Sequence, residues 1–471
     1  MPIHHRSFLF FRRMAAAGLR LAAVLLLFGL SCSKKHGFQP TDPLGIANKW
    51  VYDSMQLYYY WNKDLPAQPP YQLPTEEFFK KLLSAKDRFS WLYNGQLSTY
   101  PKSAAELFGF HYALVPHPFQ AGRLTGIVTM VIPGSRAYLV GLERGMFFTK
   151  VNEADINAAA PAETAKRVVE GSTVTLQLAS FDRDQTSLAD SAVVVIPQGP
   201  VPQQSVFAAR HFVRNGIRTG YLAYYLCNEY DDGSLLQAVG KLQEAAIAEL
   251  IIDLRYNPGG SVASATKLAA MLAPAFNPDA LFITYQGNQH GGKLQQSFAQ
   301  AIAFSVVPQG RDMNELKALN LGLKRVFILV SQHTASAAEL LAHNLRPFLP
   351  VILIGGKTLG KDEAAFKIED RRTPRQVDWV IMPTVYKIAD AHGMGNYSDG
   401  LLPDYTVDEL SQLPLQPLGL PGDRSVDKAL QLIYGSTAVQ PVELKIKKNG
   451  IGSGNIEFIR PSSGGPVIVY R

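Results

Sequence analysis

A serine and a lysine, each at the start of a turn, could act together as nucleophile and base in this chain of 471 residues. Ser336 lies in the segment TASAAE (334–339), and Lys361 ends the segment TLGK (358–361), 25 positions later. A lysine accepts a proton only when it is neutral, which requires a dry environment that lowers its pKa from about 10.4. The apolar residues 351–354 between the two segments favour such an environment. The pair therefore predicts a serine hydrolase that uses lysine instead of histidine as its base.

The elements around Ser336 predict how its hydroxyl is presented. Residues 325–330 (RVFILV) are typical of a buried strand, and residues 334–345 carry apolar side chains at helical spacing. Ser336 would then lie in the first turn of a helix, where backbone amides have no intrahelical acceptor and the helix dipole is positive. The N–H of Ala337 is therefore a candidate donor to an oxyanion.

A second turn, upstream, could supply another oxyanion donor. Residues 249–254 (ELIIDL) predict a buried strand, followed by the turn RYNPGG (255–260) and a helix over 261–272. Glycines after a proline let backbone amides approach a ligand closely, so Gly259 and Gly260 are candidates. Both turns follow the carboxyl ends of strands in a strand–helix–strand pattern, where open α/β sheets place their ligand sites.

The order of these motifs resembles that of the S41 peptidases, also called C-terminal processing or tail-specific proteases. The resemblance rests on a strand followed by DLR-x-N-P-G-G, a strand followed by [ST]-A-S-A-x-E, and a strand followed by T-x-G-K. It implies a ClpP/crotonase-like α/β catalytic domain and an endopeptidase that cuts near carboxyl termini. By this similarity, Ser336 would be the nucleophile and Lys361 the base. Gly259 or Gly260, together with Ala337, would form the oxyanion hole, and Glu339 would be a supporting polar residue.

Two positions depart from that family pattern. Some relatives carry an aspartate eleven positions after the nucleophile, where this chain has Pro347, so catalysis is expected to depend on a Ser/Lys dyad. Asp362 stands where a glycine is common, and Glu363 follows it. A carboxylate facing Lys361 would favour its ammonium form, so these side chains permit a neutral base only if they point elsewhere. Both directions stay open at this point.

The first 31 residues are typical of an export signal. A basic start precedes the apolar run 21–30 and then Cys32, and that run is shorter than the roughly 20 residues that span a bilayer. It resembles a bacterial lipoprotein signal, which implies a lipidated Cys32 and a protein anchored in the cell envelope, facing the periplasm. The alternative is a simple secretory signal with a chance cysteine. The formal charge is +7, and the four arginines before Cys32 have no acidic neighbours, so +3 remains without them.

The rest of the chain predicts a multidomain α/β protein. Its predicted divisions are a signal peptide (1–31), a tether with a short helical segment (32–105), a PDZ-like β-rich domain (106–200), the catalytic domain (201–435) and an extension of unassigned role (436–471). Helices are expected at 46–61 and 75–83. A polar, glycine-containing insertion at 287–310 predicts a loop or mobile lid, and 378–387 predicts a hairpin strand near the site.

The PDZ-like region could bind the tail of a peptide. GSRAYLVGLERGM (134–146) is similar to a PDZ segment, although Arg136 and Met146 replace its usual proline and aspartate. Residues 107–110, Leu107, Phe108, Gly109 and Phe110, are similar to a loop whose amides receive a terminal carboxylate. The expected partners are therefore proteins or peptides with accessible carboxyl termini. The alternative is a PDZ fold whose groove is degenerate or occluded.

The function predicted from these residues is a serine endopeptidase of exported proteins. One alternative is a protease-like binding protein that captures protein tails without cleaving them, favoured by Pro347, Asp362 and the altered PDZ segment. A weaker one is a crotonase-like acyl-CoA enzyme, which the export signal argues against because acyl-CoA substrates are cytosolic. The sequence contains no metal-ligand spacing, no cofactor motif and no basic run with aromatics for nucleic acid. Cys227, the only cysteine besides Cys32, is expected in the core.

Overall fold

A computed structural model describes residues 42–95, 102–182, 184, 186–435 and 440–443. The predicted signal peptide (1–31), the predicted lipidation site Cys32 and most of the extension over 436–471 lie outside the described residues. The description therefore begins with the helical segment that precedes the β-rich region.

Two helices form the amino-terminal helical segment. Helix α1 (Pro43–Tyr58) begins after Asp42, whose carboxylate accepts the Gly45 N–H at 2.9 Å, and α2 (Thr75–Leu82) follows a proline-rich turn. Apolar side chains at helical spacing meet in a small core between the helices. The segment ends in strand β1 (Trp91–Asn94), which pairs with a strand of the last third of the chain. The helices predicted at 46–61 and 75–83 are thus present, with the first shifted by three residues.

The small domain over residues 104–197 is built around one antiparallel sheet of order β2-β3-β4-β6-β7, with β5 paired to β4. Its elements are α3 (Ala104–Leu107), β2 (Phe110–Pro116), β3 (Leu124–Val131), α4 (Arg136–Leu139), β4 (Phe147–Val151), β5 (Ala154–Asp155), α5 (Pro161–Val169), β6 (Thr173–Phe181) and β7 (Leu188–Pro197). It has its own core of buried apolar residues, including Phe108, Phe148 and Leu176. The β-rich character predicted for this region is present.

A seven-stranded sheet of order β19-β14-β13-β10-β9-β8-β20 organises the rest of the chain. Its strands are β8 (Val206–Arg214), β9 (Ile217–Tyr224), β10 (Glu249–Asp253), β13 (Val326–Val330), β14 (Val351–Gly355), β19 (Tyr405–Thr406) and β20 (Gln440–Glu443). The neighbouring strands from β9 to β19 are parallel to one another. Strand β8 is antiparallel to both of its neighbours, β9 and β20. Parallel strands are covered on both faces, which explains the uninterrupted apolar run in β13.

Helices cover both faces of this sheet. Alternate strand residues point to opposite sides, so Ile252 packs under α6 (Asp232–Glu244), α7 (Val262–Leu272) and α10 (Ala337–Asn344), whereas Ile251 packs against α11 (Arg424–Tyr434). The strand–helix order α6, β10, α7 and β13, α10, β14 is that of α/β units, in which helices connect parallel strands. The catalytic α/β architecture predicted from the sequence is therefore correct.

The prediction of a loop over 287–310 is wrong, because this segment contains regular secondary structure. It contains β12 (Lys293–Ser297) and α8 (Phe298–Ala303), followed by α9 (Met313–Ala318), and β12 pairs with β11 (Leu281–Gln286). Asn288 donates to the carbonyl oxygens of Leu57 and Tyr59 at 3.0 and 2.9 Å, which fixes the tip of this hairpin to the amino-terminal helical segment. The polar composition of the insertion gave no sign of the strand pairing between β11 and β12 or of the helix capped by Ser297.

The predicted hairpin strand at 378–387 is divided between two sheets. Strand β17 (Trp379–Met382) pairs with β1 and β16 (Ile368–Glu369), while β18 (Thr384–Ala389) pairs with β11 and β15 (Glu363–Ala365). Pro383 separates them, and a residue without an N–H interrupts a ladder. Through β17 the amino-terminal helical segment is joined to the region around the candidate site.

Candidate active site

Three turns meet at one edge of the large sheet. They follow β10, β13 and β14, which are neighbours and parallel, so their carboxyl ends share the same edge. Two backbone hydrogen bonds connect them: Ala335 N donates to Asn257 O at 3.1 Å, and Leu359 N donates to Thr334 O at 3.0 Å. The turns that carry Gly260, Ser336 and Lys361 are therefore held against one another.

Ser336 has an unusual backbone conformation. It precedes α10 as the N-cap residue with φ of 55°, a region that residues with a side chain rarely adopt. The expectation that it lies inside the first helical turn is corrected by one position, because the helix begins at Ala337. A strained residue between a buried strand and a helix is typical of functional sites, since surrounding contacts must hold it there.

Glu339 ties the serine turn to the lysine turn. Its buried carboxylate accepts the N–H groups of Ser336 at 3.0 Å and of Lys361 at 2.8 Å on the same oxygen, so these two nitrogens cannot be more than 5.8 Å apart. The other oxygen accepts from Gly360 N at 2.7 Å and Thr358 Oγ1 at 2.5 Å. Burial raises the pKa of Glu339, and the four donors oppose that shift. Glu339 thus orders both candidate catalytic turns.

The amine of Lys361 lies in a dry environment. Lys361 is 1 % exposed, and its Nζ lies 5.4 Å from the ring centre of Phe89, a buried residue just before β1. Burial lowers the pKa of Lys361 to about 7, while Glu363 and Glu339 act in the opposite direction. Desolvation is the larger effect, so a substantial fraction of this lysine is neutral near pH 7.

The two carboxylates that follow Lys361 are paired with another lysine. Lys387 Nζ lies 2.8 Å from Asp362 Oδ1 and 2.6 Å from Glu363 Oε1. The opposite oxygen of Glu363 accepts from Thr384 Oγ1 at 2.7 Å. Both carboxylates therefore have a cationic partner other than Lys361, and Glu363 still favours the ammonium form of Lys361.

Two amides on facing turns are available for an oxyanion. Among the described residues, neither the N–H of Ala337 nor that of Gly260 donates to a backbone acceptor. The N–H of Gly259, in contrast, donates to Asn257 Oδ1 at 2.8 Å. A side chain at Gly259 would come within 2.9 Å of Ala337 N, which shows how closely the two turns approach. Of the two candidate glycines, the geometry favours Gly260 as the donor.

Cys227 lies in the core beside this turn. It is fully buried, and its carbonyl would be only 2.4 Å from a Cβ at Gly260, so only glycine fits there. Burial raises the pKa of its thiol to about 12, which keeps it protonated and unreactive. The core position expected for Cys227 is correct, although it lies beyond the end of β9.

The candidate carboxylate-binding loop at 107–110 is occupied by its own backbone. The N–H groups of Phe108 and Gly109 both donate to Ala104 O, at 2.9 and 3.1 Å, and Leu107 and Phe110 are buried. A Cβ at Gly109 would lie 2.1 Å from Ser135 Cβ, so the loop is tightly packed. This arrangement disfavours capture of a peptide carboxylate and supports the alternative of an occluded groove.

The residues near the lysine turn that come from distant parts of the chain were not predicted from the sequence. Phe89 of the amino-terminal helical segment contacts Lys361, whereas Trp61 of the same segment contacts Lys387 of β18. Arg88 fastens this segment by donating to Leu359 O at 3.0 Å and to Ser398 O at 2.6 Å. Only the aromatic richness of residues 50–61 signalled that this segment packs against something.

Pro347 lies beyond the carboxyl end of α10, at the opposite end of that helix from Ser336. Within the described ranges, no cluster of three or more histidine, cysteine, aspartate or glutamate side chains could hold a metal ion. The same part of the chain contains no helix that is both long and apolar enough to cross a bilayer.

Comparison with known proteins places these elements in a family. The model of peptidase family S41 matches residues 218–407, which include all three turns, and the model of the S41 N-terminal domain matches residues 47–91. The chain belongs to peptidase family S41. The N-terminal match covers the helices and the Phe89 position of this S41 chain, and the other covers Gly260, Ser336 and Lys361.

Curated relatives of the S41 chain include two carboxyl-terminal-processing proteases. That of a Picosynechococcus strain is 24% identical over 62% of this chain and 61% of its own length. That of a Synechocystis strain is 27% identical over 48% of this chain and 46% of its own length. The chain therefore spans about half to three fifths of these relatives.

A solved structure supports the fold of the S41 chain. A Bacteroides fragilis protein described as an S41 protease has a TM-score of 0.66 at 25% identity, covering 84% of this chain and 98% of its own. The described architecture, including the small β domain, is thus similar in extent to that of an S41 protease. Membership of this family argues against the alternative of an acyl-CoA enzyme.

Proposed function

We propose that this chain is a serine endopeptidase that cleaves exported proteins near their carboxyl termini with a Ser336/Lys361 dyad. The observation that carries the proposal is the buried Lys361, whose turn shares the carboxylate of Glu339 with the turn of Ser336. The names of the carboxyl-terminal-processing relatives support the choice of substrate region.

Each of these groups has a role in the proposed reaction. Neutral Lys361 takes the proton of the Ser336 hydroxyl, and the serine oxygen attacks the scissile carbonyl carbon. The N–H groups of Ala337 and Gly260 stabilise the resulting oxyanion, an effect of about 3 kcal/mol for each donor. The lysine then returns the proton to the leaving amine, and water releases the acyl group from Ser336.

Location at the cell envelope is part of the proposal. It rests on the export signal at 1–31 and on Cys32, which would carry a lipid anchor. In that position the peptidase would face the periplasm and meet exported proteins with accessible tails.

The binding-protein alternative has less support. It required a charged, inactive Lys361 and a PDZ groove that captures tails. Lys387 pairs with the carboxylates that would have kept Lys361 charged. The amides of Phe108 and Gly109, which would receive the tail, donate within their own loop. A peptidase therefore fits the site better than a passive receptor.

Cleavage by the predicted dyad can be tested with an unfolded protein that carries an apolar tail. The wild-type chain should release short carboxyl-terminal fragments, identified by mass spectrometry, while Ser336→Ala and Lys361→Ala should release fewer by at least about 10³-fold, because each removes one partner of the proton transfer. Ser411→Ala, on a surface 3₁₀ turn, serves as the serine control and should cleave normally. Fragment release by Ser336→Ala at the wild-type rate would disprove the assignment.

A further inference from the structure

Lys387 lies between two buried carboxylates that neighbour the candidate base. Strands β15 and β18 pair so that Glu363 is opposite Lys387, which places the amine beside Asp362 as well. Both carboxylates are almost fully buried, and the amine lies within 3 Å of one oxygen of each. One lysine thus offsets two acidic groups in a region with little access to water.

One of these two carboxylates, Glu363, acts on Lys361. Glu363 and Glu339 are the charged groups that favour the ammonium form of Lys361. Interactions between charges strengthen in a dry environment, so a buried carboxylate without a partner would bind a nearby ammonium strongly. Glu339 is already engaged by four donors, whereas the engagement of Asp362 and Glu363 depends on Lys387 and Thr384.

Lys387 itself is held in a defined position. Its Nζ lies 5.5 Å from the ring centre of Trp61, and Tyr60 N donates to Thr384 O at 2.8 Å on the same strand. The titratable and charged groups in the region of the candidate base come from five segments of the chain. They are Glu339 on α10, Asp362 and Glu363 directly after Lys361, Lys387 on β18, Asp87 and Arg88 before β1, and Tyr397 after β18. In this set, Lys387 is the cation that touches both acidic neighbours of Lys361.

We infer that Lys387 is a positioning residue for the candidate base: by pairing with Asp362 and Glu363, it weakens the attraction of these carboxylates for a proton on Lys361. The inference rests on the proposed Ser336/Lys361 dyad. It explains how an acidic residue can follow the base directly in the sequence without disabling it. Lys387 transfers no proton and acts only through the charge that it offsets.

The test compares the pH dependence of peptide cleavage by the full chain and its variants. In Lys387→Met the unpaired carboxylates should raise the pKa of Lys361, so half-maximal kcat/KM should move up by about one pH unit, with a loss of about fivefold at pH 7 that shrinks at pH 9. Lys387→Arg should keep the wild-type profile. Adding Glu363→Gln to Lys387→Met should move the profile back, because Glu363 is the one of the two carboxylates that favours the ammonium form of Lys361.

A matched control separates this effect from a general loss of a lysine. Lys150→Met removes a half-exposed lysine of the small domain that is only loosely paired with Asp155, and it should leave the profile unchanged. A purely structural role for Lys387 predicts an equal loss at every pH and no recovery in the double variant. Either of those results would overturn the inference.

A second measurement does not depend on peptidase activity. Spectra of ε-¹³C-lysine in the Ser336→Ala chain, with the Lys361 signal assigned by its loss in Lys361→Met, give the titration midpoint of this amine directly. Adding Lys387→Met should raise that midpoint by about one unit, and an unchanged midpoint would overturn the inference. Absence of cleavage by the wild-type chain, with the expected shift in midpoint, would instead reject the proposed function alone.

Discussion

At the scale of single residues, the behaviour of Lys361 follows from a balance between burial and charge. Burial favours the neutral amine, and the nearby carboxylates favour the ammonium. The hydrogen bonds of Glu339 and the ion pairs of Lys387 restrict what those carboxylates can do. With a pKa of about 7, the candidate base would be available at neutral pH without a histidine.

The pH dependence of wild-type activity tests this balance. Because the pKa of Lys361 is lowered to about 7, kcat/KM should rise about tenfold per pH unit up to pH 7 and level off above it. The sign follows from chemistry, since only the neutral amine can accept the serine proton. Rates with a short peptide between pH 5 and 10 provide the measurement. A continued tenfold rise to pH 10 would indicate an ordinary, solvated lysine.

At the scale of elements, the amino-terminal helical segment forms one wall of the lysine pocket. Phe89 lies over the amine, Arg88 binds the carbonyls of Leu359 and Ser398, and β1 pairs with β17. This segment is separated from Lys361 by some 270 positions in the chain. The low pKa of the base is therefore a property of two distant parts of the sequence.

Replacing Phe89 tests the wall directly. In Phe89→Ala water should reach Lys361 and raise its pKa toward its ordinary value, so cleavage at pH 7 should fall about tenfold or more while cleavage at pH 10 is largely retained. Phe89→Leu keeps an apolar wall and should stay within about threefold of wild type. Thermal unfolding must be recorded alongside, since removal of a buried ring costs about 3 kcal/mol or more. A loss of equal size at both pH values would contradict this role for Phe89.

The strands and turns of the site could be predicted from sequence because their signals are local. The apolar run of β13, the glycines after Pro258 and the small residues around Ser336 each determine a nearby conformation. The positive φ of Ser336 and the loss of the Gly259 amide to Asn257 depend on contacts between turns. The pairing of Glu363 with Lys387 depends on the register of β15 and β18, which no local pattern specifies.

At the scale of the whole molecule, a buried charge network joins the small domain to the large sheet. Arg144 of the small domain donates to Glu409 at 3.1 Å, to Tyr256 Oη at 3.2 Å and to Thr129 O. Arg255, just before the glycine turn, binds the same Glu409 carboxylate. Burial alone would raise the pKa of Glu409, but the two arginines hold it below its ordinary value.

Removing Arg144 should weaken the joint between the two domains. Arg144→Met leaves Glu409 with fewer partners in a buried environment, so the free energy of unfolding should fall by about 3 kcal/mol. Urea unfolding at pH 7 measures it. Arg123→Met, on the exposed surface of the same domain, is the matched control and should change stability by less than about 0.5 kcal/mol. Equal effects of the two substitutions would show that the network contributes little.

The wall over Lys361 has a consequence for when the protein becomes reactive. A chain in which residues 43–94 have not yet docked would leave the amine of Lys361 hydrated, and at neutral pH that amine would be protonated. The nucleophile would then stay dormant. Latency during synthesis and folding would need no inhibitory propeptide, because Lys361 would become neutral only after residues 43–94 have packed against the later segments that include Leu359 and β17.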